Sequence, residues 1–236
     1  MRQIAAVFLI VTAYAAAGHA QQEPISADQP GFANGSSIVG AGTLQVETGA
    51  ELDHQNGSTV GLPTLLRYGL SDAFELRLGT NTALFSHGDV DLAPVAIGFK
   101  LKLRVGSIPL SVIASVQPPS GEGVARTSEF EGDLRLVSDI DLGNNLVLTP
   151  NAGLGLQEGE RPTAIIAATL TKNVGKAAPF VDFEFHAGSG DPSLVLDGGI
   201  AWLVSNDTQL DVAGGVGVTG NDFPDWFIAA GVSERF

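Results

Sequence analysis

The strongest constraint on the fold is an alternation of apolar and polar residues with a period of two, clearest between residues 62 and 79. On either side of Ser71-Asp72, apolar side chains fall on one parity, and Arg67, Glu75 and Arg77 fall on the other. Successive side chains of a strand point to opposite faces, so this stretch predicts two adjacent strands joined by a tight turn. A soluble sandwich can show this pattern with its polar face in water. A membrane barrel shows it with lipid outside and a wet lumen inside.

The same alternation continues along the chain and predicts an all-β fold. Turn signals divide residues 43–236 into about twelve segments, each near the ~9 to 11 residues that a tilted transmembrane strand needs. Every second connection is short, as at Gly106-Ser107, and the intervening ones are longer and more polar. Short periplasmic turns and longer external loops are typical of outer-membrane proteins. We therefore predict a transmembrane antiparallel up-and-down β-barrel of about 12 strands over residues 43–236.

The N-terminus has the pattern of a secretory signal. A short positive end, Met1-Arg-Gln, precedes the apolar run from Ile4 to Ala17, and Gly18-His-Ala20 supplies small residues for cleavage. The run is shorter than the ~20 residues of a membrane-spanning helix, which disfavours an anchor. We predict a signal peptide over residues 1–20 and location in the outer membrane of a Gram-negative bacterium. Residues 21–42 are polar and rich in Gly, Ser and Pro, and predict a periplasmic lead-in.

Composition narrows the class of protein further. Hydrophobic residues make up 44% of the chain, yet beyond residue 20 no helix-length apolar block occurs. The chain has no cysteine, so an exported protein of this sequence depends on backbone pairing and packing alone. Removal of Arg2 with the signal changes the formal net charge from −14 to −15. That charge argues against nucleic acid as a partner.

The C-terminus and the aromatic residues fit a membrane barrel. Phe236 ends an amphipathic strand, and a terminal aromatic of this kind resembles the signal that the barrel assembly machinery recognises. Glu234 interrupts the apolar series of that strand. Outer-membrane lipid and the assembly machinery are thus the predicted partners, with interfacial aromatics near the strand ends. The predicted interfacial residues are Tyr68, Phe180, Trp202, Trp226 and Phe227.

Two short motifs resemble one protein family. Leu66-Arg-Tyr-Gly-Leu-Ser-Asp72, followed by Glu75-Leu-Arg77, is similar to the signature of the bacterial outer-membrane transporter family named for a phenol-degradation meta-pathway operon. Asp28-Gln-Pro resembles the Asp-Arg-Pro motif of that family, with Gln29 where Arg is usual. The resemblance implies an outer-membrane barrel that passes small, often aromatic, molecules, and it brings no catalytic residue. The residues that carry over, in a structural role, are Arg67, Tyr68, Gly69, Asp72, Glu75 and Arg77.

Charged side chains on the inward parity are the candidate lumen lining. The strand directions place the basic ones toward the periplasmic half and most of the acidic ones toward the outer half. Two arrangements are open: an acidic mouth above a basic inner wall, or charges that pair across strands and fill the barrel. The candidates are Arg67, Arg77, Lys100, Lys102, Arg104, Glu129, Glu131, Asp133, Arg135, Asp182, Glu184 and His186.

Small residues on the inward parity, such as Gly98 and Gly153, predict free volume in the lumen. A ring of about twelve strands also encloses more space than the eight-stranded barrels that side chains alone fill. We therefore expect a narrow passage, and expect Gly98→Arg to fold and to narrow it.

Few residues suggest a bound metal or catalysis. Asp182, Glu184 and His186 share one strand face, but a single imidazole among carboxylates is a weak metal site, so we predict no metal and no cofactor.

An omptin-like or lipase-like outer-membrane hydrolase is one alternative, through His54 and His87, which lie near Asp53, Asp89 and Asp91. A closed structural barrel is the other. The sequence favours a channel or transporter for small, hydrophobic or aromatic solutes, and not an enzyme.

Overall fold

The computed structural model describes residues 23–86, 89–188 and 190–236. The predicted signal peptide, residues 1–20, lies outside the described residues. Within the described ranges, no helix has the length and hydropathy required to cross a membrane.

Twelve strands of the described chain form one closed antiparallel barrel. The strands are β1 (Leu44–His54), β2 (Ser58–Ser71), β3 (Phe74–Ser86), β4 (Val95–Val105), β5 (Ile108–Gln117), β6 (Glu131–Ser138), β7 (Leu146–Gln157), β8 (Thr163–Lys172), β9 (Ala177–Ala187), β10 (Ser193–Leu203), β11 (Thr208–Thr219) and β12 (Trp226–Arg235). Each strand pairs with its neighbours in the chain, and β1 pairs with β12 to close the ring. The predicted barrel is confirmed.

Short pieces of regular structure accompany the ring. Asp89–Asp91 pairs with β3, Ile140–Asp141 continues the line of β6 beside β7, and Gly123–Ala125 forms a 3₁₀ turn in the loop before β6. Strand β4 begins at Val95, whereas the alternation alone predicts Leu92. Pro94 explains this difference, because it has no backbone N–H to donate to the ladder.

The two faces of the barrel are opposite in character to those of a soluble protein. Ile97 and Val181 on the outer face are 55% and 60% exposed, whereas Lys100 and Glu75 on the inner face are 0% exposed. An apolar exterior around a polar interior is the arrangement that a lipid bilayer stabilises. The largest fully buried side chains are Arg67, Lys100, Gln45, Glu47 and Glu75.

The aromatic residues divide between the two faces. Tyr68, Trp202 and Trp226 are exposed on the outer face near strand ends, as predicted. The prediction is wrong for Phe180 and Phe227, which are 8% and 5% exposed. Both lie on the parity of inward polar residues of their strands, so their rings fill the lumen instead of meeting lipid.

Candidate functional site

Residues 23–42, which we call the plug, lie inside the barrel. The backbone N–H groups of Phe32 and Ala33 donate to Asp182 Oδ2 on β9, at 2.8 and 3.2 Å. On other sides of the ring, Val39 N–H donates to Glu75 Oε2 on β3 at 2.9 Å. A segment that reaches strands around the whole ring must occupy its lumen. The sequence predicts a periplasmic lead-in here, whereas the structure places the segment in the lumen. There, side chains of the wall accept hydrogen bonds from backbone N–H groups of the plug that are not paired in any sheet.

Gly31 permits a close approach of the plug to the wall. A Cβ atom added at Gly31 would lie 2.6 Å from Asp182 Oδ2 and 3.4 Å from Thr169 Oγ1. Thr169 also donates its hydroxyl to the same carboxylate oxygen, at 2.7 Å. A side chain at position 31 would therefore displace the carboxylate that holds the plug.

Asp28 is the main ionic contact of the plug. Its Oδ2 accepts from Arg77 Nη1 at 2.5 Å and from Lys100 Nζ at 2.8 Å, and Arg67 Nη1 lies 3.7 Å away. Burial alone would raise the pKa of the Asp28 carboxyl, but the positive charges of Arg67, Lys100 and Arg77 together outweigh burial and hold it far below its usual range.

The contacts of Asp28 belong to a balanced set of charges, which we call the ion cluster. Arg67 binds Glu75 Oε1 through Nε at 2.9 Å and Glu47 Oε1 through Nη1 at 3.0 Å. The backbone N–H groups of Asp28 and Gln29 both donate to Glu47 Oε2 at 2.9 Å. Three cations thus face three carboxylates, and all six side chains are 9% exposed or less. The members are Asp28, Glu47, Arg67, Glu75, Arg77 and Lys100.

The ion cluster decides between the two arrangements that the sequence leaves open for this end of the lumen. Its cations do not line an open basic wall, because they are paired and covered. The anion that covers them comes from the plug, ahead of the first strand. Both sequence motifs that carry the family resemblance contribute to the cluster, through Asp28 and through Arg67, Glu75 and Arg77.

We expect Asp28→Asn to weaken docking of the plug by about 3 to 5 kcal/mol, since Lys100 loses its carboxylate partner and the ion cluster keeps one unbalanced buried positive charge. The amide keeps the size of the carboxyl and removes its charge. Chymotrypsin cleavage after Phe32, inside the plug, measures the undocked fraction. Asp191→Asn, at an exposed loop position, is the matched control and should not change the cleavage rate. Equal cleavage of both variants would show that Asp28 does not hold the plug in the lumen.

Docking through Asp28 should be insensitive to pH between 7 and 5. The carboxyl has a lowered pKa in the folded state, below its unfolded value of 3.8. Such a group contributes its stability above the unfolded pKa and loses it only as the pH falls toward the folded one. Hydrogen exchange of the Gly35 amide, which donates to Asp28 Oδ1 at 3.1 Å, should show equal protection at both pH values once it is corrected for the intrinsic rate. A loss of protection by pH 5 would contradict this assignment.

A second chain of polar contacts leads from the lumen toward the long-loop end. Arg135 Nη1 donates to Glu184 Oε2 at 2.7 Å, and its Nε donates to Asp133 Oδ2 at 2.9 Å. Glu184 Oε1 lies 2.8 Å from His186 Nε2, and His186 Nδ1 lies 3.2 Å from Asp222 Oδ2. The structure thus brings together four of the predicted lumen residues and adds Asp222, which the sequence did not single out.

The remaining predicted lumen residues do not join these groups. Lys102 and Glu129 are exposed, and Glu129 lies in the loop before β6, where it accepts from Gln157. Glu131 accepts from Gln117 at 2.8 Å. The side chain of Arg104 lies outside the described part of the chain.

Among the described residues that the sequence left open for these roles, neither a metal centre nor a catalytic triad forms. Asp182 accepts hydrogen bonds from the plug, whereas Glu184 contacts His186. Within the described residues, no three acidic, His or Cys side chains could hold a metal ion. His54 stacks on Trp226 with ring centroids 5.3 Å apart, and its Nδ1 lies 3.1 Å from Ser58 Oγ. His87 lies outside the described residues.

The plug divides the lumen into separate spaces. A cavity of about 500 Å³ opens at the long-loop end beside His186 and Asp222. A chamber of about 180 Å³ lies beside Asn34 and Arg135, and another of about 230 Å³ lies beside Ile25 and Gln209.

Gly98 lines the chamber beside Asn34 and Arg135, but its backbone leaves no room for a Cβ atom. A methyl group added there would overlap the carbonyl oxygen of Ala114 and would approach Ser115 Cβ to 2.9 Å. The glycine permits close approach of the paired strand, so the expectation that Gly98→Arg would fold is corrected.

Comparison with known proteins agrees with this architecture. A family model described as "Putative MetA-pathway of phenol degradation" matches residues 27–236. The outer membrane channel COG4313 from Pseudomonas putida F1 is 13% identical with a TM-score of 0.65, over 88% of this chain and 99% of that one. The KdgM porin is 10% identical with a TM-score of 0.59, over 81% and 99% of the two chains.

The NanC porin is 8% identical with a TM-score of 0.57, over 82% of this chain and 100% of that one. No curated protein sequence matches this chain. At such low identity, the solved structures establish the fold alone. The family model covers the plug from residue 27 and the whole barrel, and the chain therefore belongs to the family described as "Putative MetA-pathway of phenol degradation".

Proposed function

We propose that this protein is an outer-membrane channel for small solutes whose short-turn end is closed by its own N-terminal segment. The observation that carries the proposal is the pairing of a lipid-compatible exterior with a charged interior in a twelve-stranded ring. Side chains alone fill rings of about eight strands, so this larger ring needs the plug to occupy it. Membership in the family and the shared fold with channels and porins support the same function.

The plug determines what the resting channel passes. The ion cluster and the Asp182 contacts hold its backbone against opposite sides of the ring. Solutes from the long-loop cavity therefore reach the other end through the chambers beside the plug, or after the plug moves. We expect a small conductance at rest.

Recording in planar bilayers tests the channel directly. Folded protein, identified by heat-modifiable migration on gels, should give discrete conductance steps. Heat-denatured protein from the same preparation is the control. Folded protein that inserts into the bilayer without any steps would favour a closed structural barrel.

The substrate class that we propose is small aromatic solutes. The family description names phenol degradation. Rings also face the inner surface beside the large cavity, where His186 and Phe223 have centroids 4.7 Å apart and Phe32 lies 5.8 Å from Phe223. Aromatic rings favour aromatic partners beyond simple burial.

Liposome swelling separates an aromatic preference from general diffusion. Proteoliposomes should swell faster in isosmotic phenylalanine than in glutamine, although glutamine is smaller and equally zwitterionic. Equal rates would contradict the aromatic preference and would leave the channel itself intact.

The proposal also covers the maturation of the protein and its location. We propose cleavage before Gln21, recognition of Phe236 by the barrel assembly machinery and residence in the outer membrane. Fractionation of cells with N-terminal sequencing of the mature chain tests the location and the cleavage site. Recovery as a soluble periplasmic protein would contradict the location.

A further inference from the structure

The long-loop cavity carries more negative than positive side chains. Four carboxylates line this space of about 500 Å³, against two side chains that can be positive. Glu160 and Asp191 are exposed, and among the described residues neither is in an ion pair. The cavity therefore keeps a net negative charge even when its histidine is protonated. The carboxylates are those of Glu131, Glu160, Asp191 and Asp222, and the other two side chains are Arg161 and His186.

The chamber at the short-turn end has the same character. Asp28 and Asp139 both line this space of about 230 Å³, and no Lys, Arg or His is among the described residues around it. The charge of Asp28 is balanced within the ion cluster, but that of Asp139 is not. Asp139 Oδ2 accepts from the backbone N–H and the hydroxyl of Ser36, at 2.7 and 2.6 Å, and its Oδ1 accepts from Thr149 Oγ1 at 2.8 Å. These donors satisfy the carboxylate without cancelling its charge.

The cations deeper in the lumen are already paired. Arg77 and Arg135 line the chamber of about 180 Å³. Arg77 belongs to the ion cluster, whose three cations face three carboxylates. Arg135 Nε lies 2.9 Å from Asp133 Oδ2, and its Nη1 lies 2.7 Å from Glu184 Oε2. A solute that passes therefore meets unbalanced carboxylates at both ends of the lumen and balanced charges between them.

We propose that the channel selects positively charged solutes over negatively charged ones, with Glu160 and Asp191 as part of the selecting charge at its mouth. The inference rests on the proposed channel function and narrows its substrate class. Walls of low dielectric constant focus the field of the charges that line a cleft, so cations are concentrated there and anions are repelled. Acidic side chains around a pore select cations in the same way. An aromatic solute that carries an ammonium group would thus pass more readily than one that carries a carboxylate.

The reversal potential in a gradient of KCl measures this selection, because K⁺ and Cl⁻ have nearly equal mobility in water. Folded wild-type protein in a planar bilayer should give a permeability ratio of K⁺ to Cl⁻ several-fold above one when the salt is near 0.1 M, where the Debye length is about 10 Å. The ratio should fall toward one near 1 M salt, where that length is about 3 Å.

The double variant Glu160→Gln/Asp191→Asn tests the assignment to the mouth. Both side chains are exposed, so the variant should fold as the wild type does, which heat-modifiable migration on gels checks. We expect its permeability ratio at low salt to fall about two-fold, toward one, since the field of the mouth weakens. Asp72→Asn/Asp141→Asn removes the same formal charge from exposed turns that line none of the three spaces, and it should keep the wild-type ratio.

The possible outcomes separate this inference from the channel itself. Discrete conductance steps with a ratio at or below one in the wild type would overturn the selection and leave the channel intact. Equal ratios in the two double variants would overturn the part assigned to Glu160 and Asp191. Folded protein that gives no steps would contradict the channel, and this inference with it.

Discussion

Deletion of residues 23–42 should give a barrel whose single-channel conductance is several-fold larger than that of the wild type. The plug contacts strands around the ring through Asp182, Glu75 and the ion cluster, and its removal joins the chambers on its two sides. Conductance rises with the cross-section of a continuous water path, so the largest effect is expected here. Planar-bilayer recording at a fixed salt concentration measures it.

The deletion should be compared with a second variant that restores the charge balance, because it removes Asp28 and leaves three buried cations facing two carboxylates. Lys100→Met in the deletion background restores an equal number of charges and keeps most of the side-chain volume. We expect this variant to fold at least as well as the simple deletion and to show the same large conductance. Truncated barrels that fold but conduct like the wild type would contradict the role of the plug.

Ile97→Arg should destabilise the inserted barrel, by at most the about 2 to 4 kcal/mol that a basic side chain costs on the lipid face at mid-bilayer. Ile97 lies on β4 and is 55% exposed on the outer surface. Urea unfolding in lipid vesicles measures the loss.

Ala96→Arg is the opposite-parity control, since Ala96 faces the chamber that Asp133 also lines. It should fold with a much smaller loss of stability. Equal destabilisation by both substitutions would show that the outer face does not meet lipid.

The barrel could be predicted from the sequence because the alternation of apolar and polar residues is visible within each strand alone. Lipid outside and water inside impose opposite requirements on alternate residues, so the parity around Ile97 and Lys100 already assigns their faces. Loop lengths then fix the strand directions. Boundaries shift where a residue such as Pro94 cannot donate to the ladder.

The plug could not be predicted in the same way. It has no periodicity, and its hydrogen bonds go to side chains far along the chain, with Phe32 and Asp182 separated by 150 positions. The motif around Asp28 contributes to the family resemblance, but nothing in the motif shows which cations Asp28 binds.

Parity assigns a lumen side chain to a face but not to a partner. It places Arg67, Arg77 and Lys100 on the inner face, where their side chains are buried, but it groups Lys100 with Lys102, which is exposed at the short-turn end.

Block of the truncated channel by an added peptide tests most directly whether the plug closes the barrel through Asp28. A synthetic peptide of residues 23–42, applied to the short-turn side of the channel that lacks them, should reduce its conductance toward the wild-type value. The same peptide carrying Asp28→Asn should block much less at equal concentration. Equal block by the two peptides, or no block by either, would contradict the account.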